Sequence, residues 1–196
     1  MTDLTDAKSP KKPVSRKTLV SITVGSVIAI VLIAIVALLT GGRVTNTDAP
    51  TSSLVGHHLN SFSLDGLFGG TIKAPWDSGR PSVEIFFASY CGPCQSEMPE
   101  IAKYLRTHNP GHVAILAVDA SDQRSAATAM VNKDAFTFPV AFDPNAVVTS
   151  GIFGFGYVPE SVFVNANGVV TKVYFGAIPN QQLASGIKTL KASISS

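Results

Sequence analysis

The most hydrophobic stretch of the chain lies near its beginning. Residues 19–39 are 21 positions without a charged side chain. As a helix, at about 1.5 Å per residue, they span roughly 30 Å, the thickness of the hydrocarbon core of a bilayer. Because no polar face interrupts the 21 residues, a buried core helix is disfavoured. The pattern predicts a transmembrane anchor over residues 18–40.

The charges around this stretch predict its orientation. Only Arg43 follows it closely, whereas five basic residues precede it: Lys8, Lys11, Lys12, Arg16 and Lys17. By the positive-inside rule, residues 1–17 form a cytoplasmic tail and the rest of the chain lies outside a cell membrane that it crosses once. A cleaved signal peptide is the alternative, although its apolar region usually has only about 7–15 residues and ends at a small-residue cleavage site.

The remainder predicts a linker followed by one domain. Residues 41–53 are small, polar and turn-forming, as in a flexible tether. From residue 54 to residue 196, stretches typical of strands alternate with stretches of helical periodicity. The predicted strands are 60–64, 82–87, 112–119, 140–143, 161–165 and 169–175. The predicted helices are 94–108, 125–133 and 180–190, with one or two helical turns at 146–153.

This order of elements predicts an α/β domain. Strands that alternate with helices favour a central mixed β-sheet flanked by helices, with both sheet faces covered. Asn-Ala-Asn-Gly at residues 165–168 predicts a hairpin turn between the last two strands. Asn180 is the expected N-cap of the final helix.

Composition excludes some classes of function. The net charge is only +2, and five of the 15 basic residues precede the apolar stretch, so we expect no nucleic-acid partner, which would require a basic face on the domain. Hydrophobic residues make up 45% of the chain, enough for the core of one domain. Since Cys91 and Cys94 are the only cysteines, there is no disulfide framework.

Cys91-Gly92-Pro93-Cys94 lies between a predicted strand and a predicted helix. The partial positive charge and free N–H groups of a helix N-terminus stabilise a thiolate, which lowers the pKa of a cysteine there. Cys91 can then attack a disulfide, and Cys94, one turn later, can resolve the mixed disulfide. We expect Cys91 to be exposed and Cys94 to be buried.

Two other roles for the cysteine pair are less favoured. A structural disulfide that closes so small a ring removes little chain entropy and would contribute little stability. A zinc site needs further ligands, but the chain has no second C-x-x-C and its histidines lack ligand spacing around this one.

The residues around the pair resemble a known family. SVEIFFASYCGPCQSEMPEIAKYL is similar to the active-site segment of thioredoxins, and most of all to that of the TlpA/ResA/CcmG group of membrane-anchored, extracytoplasmic proteins. FTFPVAFDP and GFGYVPESVFVNANGVV extend the resemblance over nearly all of residues 54–196. It implies a thioredoxin-like fold with an inserted helix and strand at 121–143. It also implies that Pro159 is a cis-proline facing the cysteines.

The resemblance further implies a function. The group catalyses thiol–disulfide exchange, with no cofactor or metal, on thiols and disulfides of exported proteins. Apocytochrome c before haem attachment is one such substrate, and general oxidative or reductive folding of exported proteins is the alternative. A membrane electron donor or acceptor would recycle the pair.

This chain departs from the family pattern where the buried thiol exchanges its proton. Thioredoxin has an acid six positions before the first cysteine, whereas this chain has Ile85, and strand alternation turns the neighbouring Glu84 to the other face. Glu160 follows Pro159, as an acid does in CcmG-like proteins, and is the candidate proton acceptor. A solvated loop glutamate is the alternative. Glu97 matches another family position, although an acid in the first helical turn is also favoured by the helix dipole.

Two other classes of function remain open. A thiol peroxidase can share the fold, but its chemistry requires Thr or Ser three residues before the attacking cysteine, where this chain has Ala88. A binding or chaperone module with an inactive cysteine pair is compatible with Ile85, although the intact motif argues against it.

The predicted orientation can be tested by proteolysis. A protease added outside spheroplasts should cut first within residues 41–53 and release a fragment that contains the cysteine pair, because the positive charges retain residues 1–17 inside. Immunoblotting with and without membrane lysis measures this. Protection of the domain until lysis would contradict the orientation, and a mature protein that begins after residue 40 would favour a cleaved signal.

Overall fold

The computed structural model describes residues 52–194. The predicted tail (1–17), the anchor (18–40) and nearly all of the linker (41–53) lie outside these residues. Between residues 52 and 194, no helix combines the length and the hydrophobicity needed to cross a membrane.

Seven strands form one mixed sheet in the described part of the chain. The strands are β1 (Ser63–Gly66), β2 (Thr71–Lys73), β3 (Ser82–Phe87), β4 (Ala114–Ala120), β5 (Val140–Asp143), β6 (Glu160–Val164) and β7 (Val170–Phe175). They lie in the order β2-β1-β5-β4-β3-β6-β7. The three central strands, β5, β4 and β3, are parallel, and the outer pairings are antiparallel. The predicted mixed sheet is confirmed.

Three helices cover one face of this sheet. They are α1 (Gly92–Thr107), α2 (Arg124–Lys133) and α3 (Asn180–Ala192). Buried side chains from all three belong to one hydrophobic cluster with alternate residues of β3 and β4. The helix and strand predicted within residues 121–143 are present as α2 and β5, and β5 extends the parallel part of the sheet.

The opposite face is covered without long helices. A second hydrophobic cluster contains Phe62, Trp76 from a 3-10 helix at Pro75–Ser78, and Phe153. Phe153 follows a segment in which Ser150 N–H donates to the Ala146 carbonyl at 2.8 Å, as in a helical turn. The three helices therefore lie on one face only, and the other face is covered by the 3-10 helix and by the turns of the β5–β6 segment.

Two predictions about element ends were wrong. The first strand begins at Ser63 instead of residue 60, and it pairs with β2, which the sequence pattern did not indicate. Asn180 is the first residue of α3 and the N-cap is Pro179, without a side-chain cap. Pro179 has φ −65° and ψ 144°, an extended conformation that suits the residue before a helix. The ring of proline fixes φ near this value, so the proline can occupy the cap position.

Two glycines lie so close to aromatic rings that a side chain would not fit at their positions. A Cβ atom on Gly186 of α3 would lie 2.0 Å from the ring of Phe163 on β6, which shows how closely the helix sits on the sheet. Gly168, in the β6–β7 turn, has φ +75°, and a Cβ atom there would lie only 2.8 Å from the Trp76 ring.

The predicted hairpin is confirmed by the antiparallel pairing of β6 and β7.

Strand β3 contains a buried acid at its centre. Glu84 is fully buried, and neither carboxylate oxygen has a hydrogen-bond partner among the described residues. It is paired with Leu116 and Val162, residues of the second cluster, so it lies on the face away from α1. Burial raises the pKa of Glu84 to about 8. The residue is therefore protonated at neutral pH.

This acid should make stability depend on pH. Since its folded pKa is about 8 and its ordinary value is 4.5, the folded state retains a proton that the unfolded state loses. The free energy of unfolding should therefore fall as the pH rises from about 5 to about 8, by up to about 1.4 kcal/mol per pH unit. Glu84→Gln should reduce this slope, measured by urea denaturation at several pH values. The exposed Glu100→Gln is the control, and equal slopes for Glu84→Gln and wild type would contradict the assignment.

Candidate active site

The loop between β3 and α1 is held at both ends. Ser89 N–H donates to Asp122 Oδ2 at 2.5 Å, and the Ser89 carbonyl accepts from Gln95 Nε2 at 2.7 Å. Cys91 N–H donates to the Ala88 carbonyl at 3.2 Å, which closes a turn. Because all six residues of β3 are buried, the strand is held firmly, and the short loop after it places Cys91 at a fixed point beyond the carboxyl end of β3.

Cys91 and Cys94 form a disulfide at the start of α1. Their Cα atoms are 5.2 Å apart. Cys91 is the N-cap residue, and its Sγ accepts a hydrogen bond from Cys94 N–H at 3.2 Å. In the reduced protein the same N–H and the helix dipole favour a thiolate at this sulfur.

The exposure of the two cysteines differs from the prediction for one of them. Cys94 is fully buried, as predicted, but Cys91 is only 7% exposed, so the prediction that it is exposed was wrong for this disulfide form. Neighbouring residues cover most of Cys91, and its small exposed part faces a cleft that is described below.

Pro159 lies beside the disulfide. The Val158–Pro159 peptide bond is cis, and the Val158 carbonyl oxygen is 3.5 Å from Cys91 Sγ. Pro159 directly precedes β6, which pairs with β3, so the two strands bring the proline and the cysteine pair together. Three of the four residues proposed from the sequence, Cys91, Cys94 and Pro159, therefore share one site.

Glu160 lies on a different side of the sheet. It is 6% exposed and is paired with Phe86 of β3. Strand alternation places it on the face of Val162 and Val164, which belong to the cluster opposite α1. Burial raises the pKa of Glu160 to about 7. Its role as proton acceptor for Cys94 stays a prediction that this register does not favour.

Glu97 connects the active-site helix to the segment before α3. It is 6% exposed, and its Oε1 accepts a hydrogen bond from Ile178 N–H at 2.5 Å. Burial raises the pKa of Glu97 to about 7, and the Ile178 hydrogen bond partly opposes this effect. A buried acid one helical turn after Cys94 is thus poised to bind or release a proton near neutral pH.

Ser161 is a residue that sequence reasoning missed. It is paired with Ile85 on the sheet face that α1 covers, and it is fully buried. Its hydroxyl has no hydrogen-bond partner among residues 52–194. Only the register between β6 and β3, which the sequence does not reveal, could have indicated that this hydroxyl lies beneath the cysteine helix.

A cleft of about 340 Å³ opens beside Cys91; we call it the Cys91 cleft. Its walls come from the start of α1, from the end of β4 and from the segment that leads to Pro159. The lining residues are Tyr90, Cys91, Pro93, Ala120, Ser121, Ala146, Thr149, Ser150, Phe155, Gly156, Tyr157 and Val158. The exposed part of Cys91 borders this opening.

Asp143, at the end of β5, organises one wall of this cleft. Its carboxylate is buried and accepts hydrogen bonds from the N–H groups of Val147 at 2.8 Å, Val148 at 3.1 Å and Thr149 at 2.8 Å. The Thr149 hydroxyl donates to it as well, at 2.7 Å. The sequence predicted helical turns here but gave no sign that a single carboxylate holds them.

No metal centre is formed by the described residues: between positions 52 and 194, no three His, Cys, Asp or Glu side chains are grouped so that they could hold an ion. The two sulfur atoms provide thiol–disulfide chemistry at the site, and the nearby acids can carry protons.

Comparison with known proteins identifies relatives of the same type. The family model of Redoxin matches residues 45–190. The thiol–disulfide oxidoreductase ResA of Halalkalibacterium halodurans is 26% identical over 136 residues, which cover 69% of this chain and 77% of that protein.

Solved structures share the fold. MTB DsbF, determined in mixed oxidised and reduced forms, superposes with a TM-score of 0.59 at 29% identity, covering 66% of this chain and 94% of that one. StoA from Bacillus subtilis superposes with a TM-score of 0.58 at 22% identity, covering 65% and 96%. The predicted thioredoxin-like fold is confirmed.

The role of Asp143 can be tested by substitution. Asp143→Ala should lower the free energy of unfolding by about 2 kcal/mol or more, because it leaves several buried donors without an acceptor. Asp143→Asn retains one acceptor oxygen and should cost less. Urea denaturation measures both, with Asp65→Ala, at an exposed position of β1, as the control. A loss for Asp143→Ala no larger than that of the control would contradict the role.

Proposed function

This chain belongs to the Redoxin family and is a thiol–disulfide oxidoreductase of the TlpA/ResA/CcmG group; on that premise, we propose that it acts outside the cell membrane and reduces disulfides of exported proteins through Cys91 and Cys94. The observation that carries the proposal is the disulfide at the N-terminus of α1, bordered by the Val158 carbonyl and open to the Cys91 cleft.

The reaction begins with the reduced pair. The Cys91 thiolate, favoured by the Cys94 N–H group, attacks one sulfur of the substrate disulfide and releases the other sulfur as a thiolate. Cys94 then attacks Cys91 Sγ, which releases the second substrate sulfur and forms the Cys91–Cys94 disulfide. Two electrons pass from the enzyme dithiol to the substrate, and no cofactor is needed.

Cys94 must lose a proton before the second step. Ile85 provides no acceptor at the position where thioredoxin has an acid, so another group has to act. Glu97 and Glu160 both have pKa values near 7, raised by burial, and each can exchange a proton at neutral pH. Glu97 lies one helical turn from Cys94, on the same helix, which supports it over Glu160, although the sequence resemblance favoured Glu160.

The sequence supports the proposed location and partners. The apolar segment at 18–40 and the basic tail before it support an anchored domain outside the membrane. Disulfides form in such compartments, so a reductant there requires a membrane electron donor that restores the dithiol. The resemblance of the sequence to the TlpA/ResA/CcmG group implies apocytochrome c as one substrate, and other exported proteins with disulfides are the alternative class.

The two cysteines should behave differently when each is replaced. Cys94→Ser should accumulate mixed disulfides with substrate proteins, because the second step is blocked, whereas Cys91→Ser should form few. Non-reducing electrophoresis of alkylated membranes measures this, and the double variant is the control for unrelated adducts. More adducts with Cys91→Ser than with Cys94→Ser would reverse the assignment of the attacking sulfur.

A further inference from the structure

We propose that the Cys91 cleft selects substrate segments whose side chains next to the reacting cysteine are apolar and uncharged. The inference rests on the proposed exchange reaction at Cys91 and specifies the polypeptides on which that reaction is fastest. It concerns the cleft wall formed by residues 144–157 and Tyr90, in addition to the cysteine motif itself.

The size and position of the cleft fit a short segment of a substrate. Its volume of about 340 Å³ is at the small end of the range of about 300–1,000 Å³ that ligand pockets occupy. Cys91 and Val158 are among its lining residues. A substrate sulfur bound to Cys91 would therefore place the neighbouring side chains of the substrate inside the cleft.

The lining offers no partner for a charge. None of its residues is Asp, Glu, Lys, Arg or His. Two of its hydroxyl groups already donate within the protein, Thr149 to Asp143 at 2.7 Å and Ser150 to the Phe155 carbonyl at 2.9 Å. A charged side chain that entered would lose water without gaining a counter-ion, which is costly.

Two aromatic rings border the opening. The side chains of Tyr90 and Tyr157 are 65% and 84% exposed. Both belong to the lining of the same cleft as Cys91. Exposed tyrosines supply apolar contact area with a polar edge, as they do in binding surfaces.

The wall is formed before a substrate arrives. Ser121 and Ala146 have φ of +54° and +52°, a left-handed conformation that is unfavourable for a residue with a side chain. Both are held by hydrogen bonds from their N–H groups to the Asp143 carbonyl, at 3.0 Å each. A wall fixed in this way discriminates better between side chains than a flexible one, because little ordering is needed on binding.

Peptides that differ only beside the cysteine test the proposal. Each has the sequence Gly-Xaa-Cys-Xaa-Gly with blocked ends and carries thionitrobenzoate on its cysteine, and Xaa is Leu, Lys or Glu. The Cys91 thiolate attacks the peptide sulfur, the S–S bond to thionitrobenzoate breaks, and the coloured thiolate leaves with the electron pair. Stopped-flow absorbance then reports the rate constant for the reduced full-length chain in detergent micelles.

The rate constants are divided by those for dithiothreitol with the same peptides, which removes the effect of charge on intrinsic reactivity. We expect the normalised value for Leu to exceed those for both Lys and Glu by about tenfold, a ratio equivalent to about 1.4 kcal/mol. Tyr157→Ser and Tyr90→Ser should each reduce this ratio severalfold. Phe68→Ser is the matched control, because Phe68 is similarly exposed, at 63%, and is not part of the cleft lining.

The outcomes separate this inference from the proposed function. Equal normalised constants for the three peptides, or a preference for Lys through cation–π contact with the tyrosines, would overturn the inference while exchange at Cys91 stands. The proposed function itself fails if the wild-type chain releases no thionitrobenzoate from any peptide or from the symmetric disulfide of thionitrobenzoate. It also fails if Cys91→Ser releases thionitrobenzoate as fast as the wild-type chain does. A Leu preference that only the tyrosine variants lose supports the cleft as its source.

Discussion

The geometry of the site depends on the burial of β3 on both faces. All six residues of the strand are buried, with parallel β4 on one side and antiparallel β6 on the other. A strand held in this way cannot shift along its neighbours without moving apolar side chains to the wrong face. The short loop after it therefore delivers Cys91 to the same point at which β6 delivers Val158 and Pro159.

The sequence predicted the elements that have a strong local signal. The bounds of β3 and β5 agree with their β-branched and aromatic residues, and the cysteine pair lies at a strand-to-helix junction as expected. Strand β2 was missed because three residues with two exposed side chains carry almost no periodicity. The cap of α3 was misplaced by one residue, since a proline can occupy a position that statistics assign to asparagine.

The site was predictable only where its chemistry is local. Both sulfur atoms of the exchange reaction lie within the four residues of C-x-x-C, so the motif alone indicates the reaction. The positions of Glu160 and Ser161 relative to the cysteines depend instead on the register of β6 against β3. That register joins residues about 75 positions apart, and no short pattern encodes it. The role of the Asp143 carboxylate in holding residues 147–149 likewise could not be predicted, because it depends on three backbone N–H donors that only the structure reveals.

The separate anchoring of the cleft wall has a consequence for how such proteins diversify. The electron-transfer pair is fixed by β3 and α1, whereas residues 146–149 are held through Asp143 at the end of the inserted helix and strand. Substitutions along this wall can change which partners are accepted while the redox couple is inherited intact. Changes in this loop can therefore alter substrate choice without altering the cysteine pair, provided that the carboxylate of Asp143 is retained.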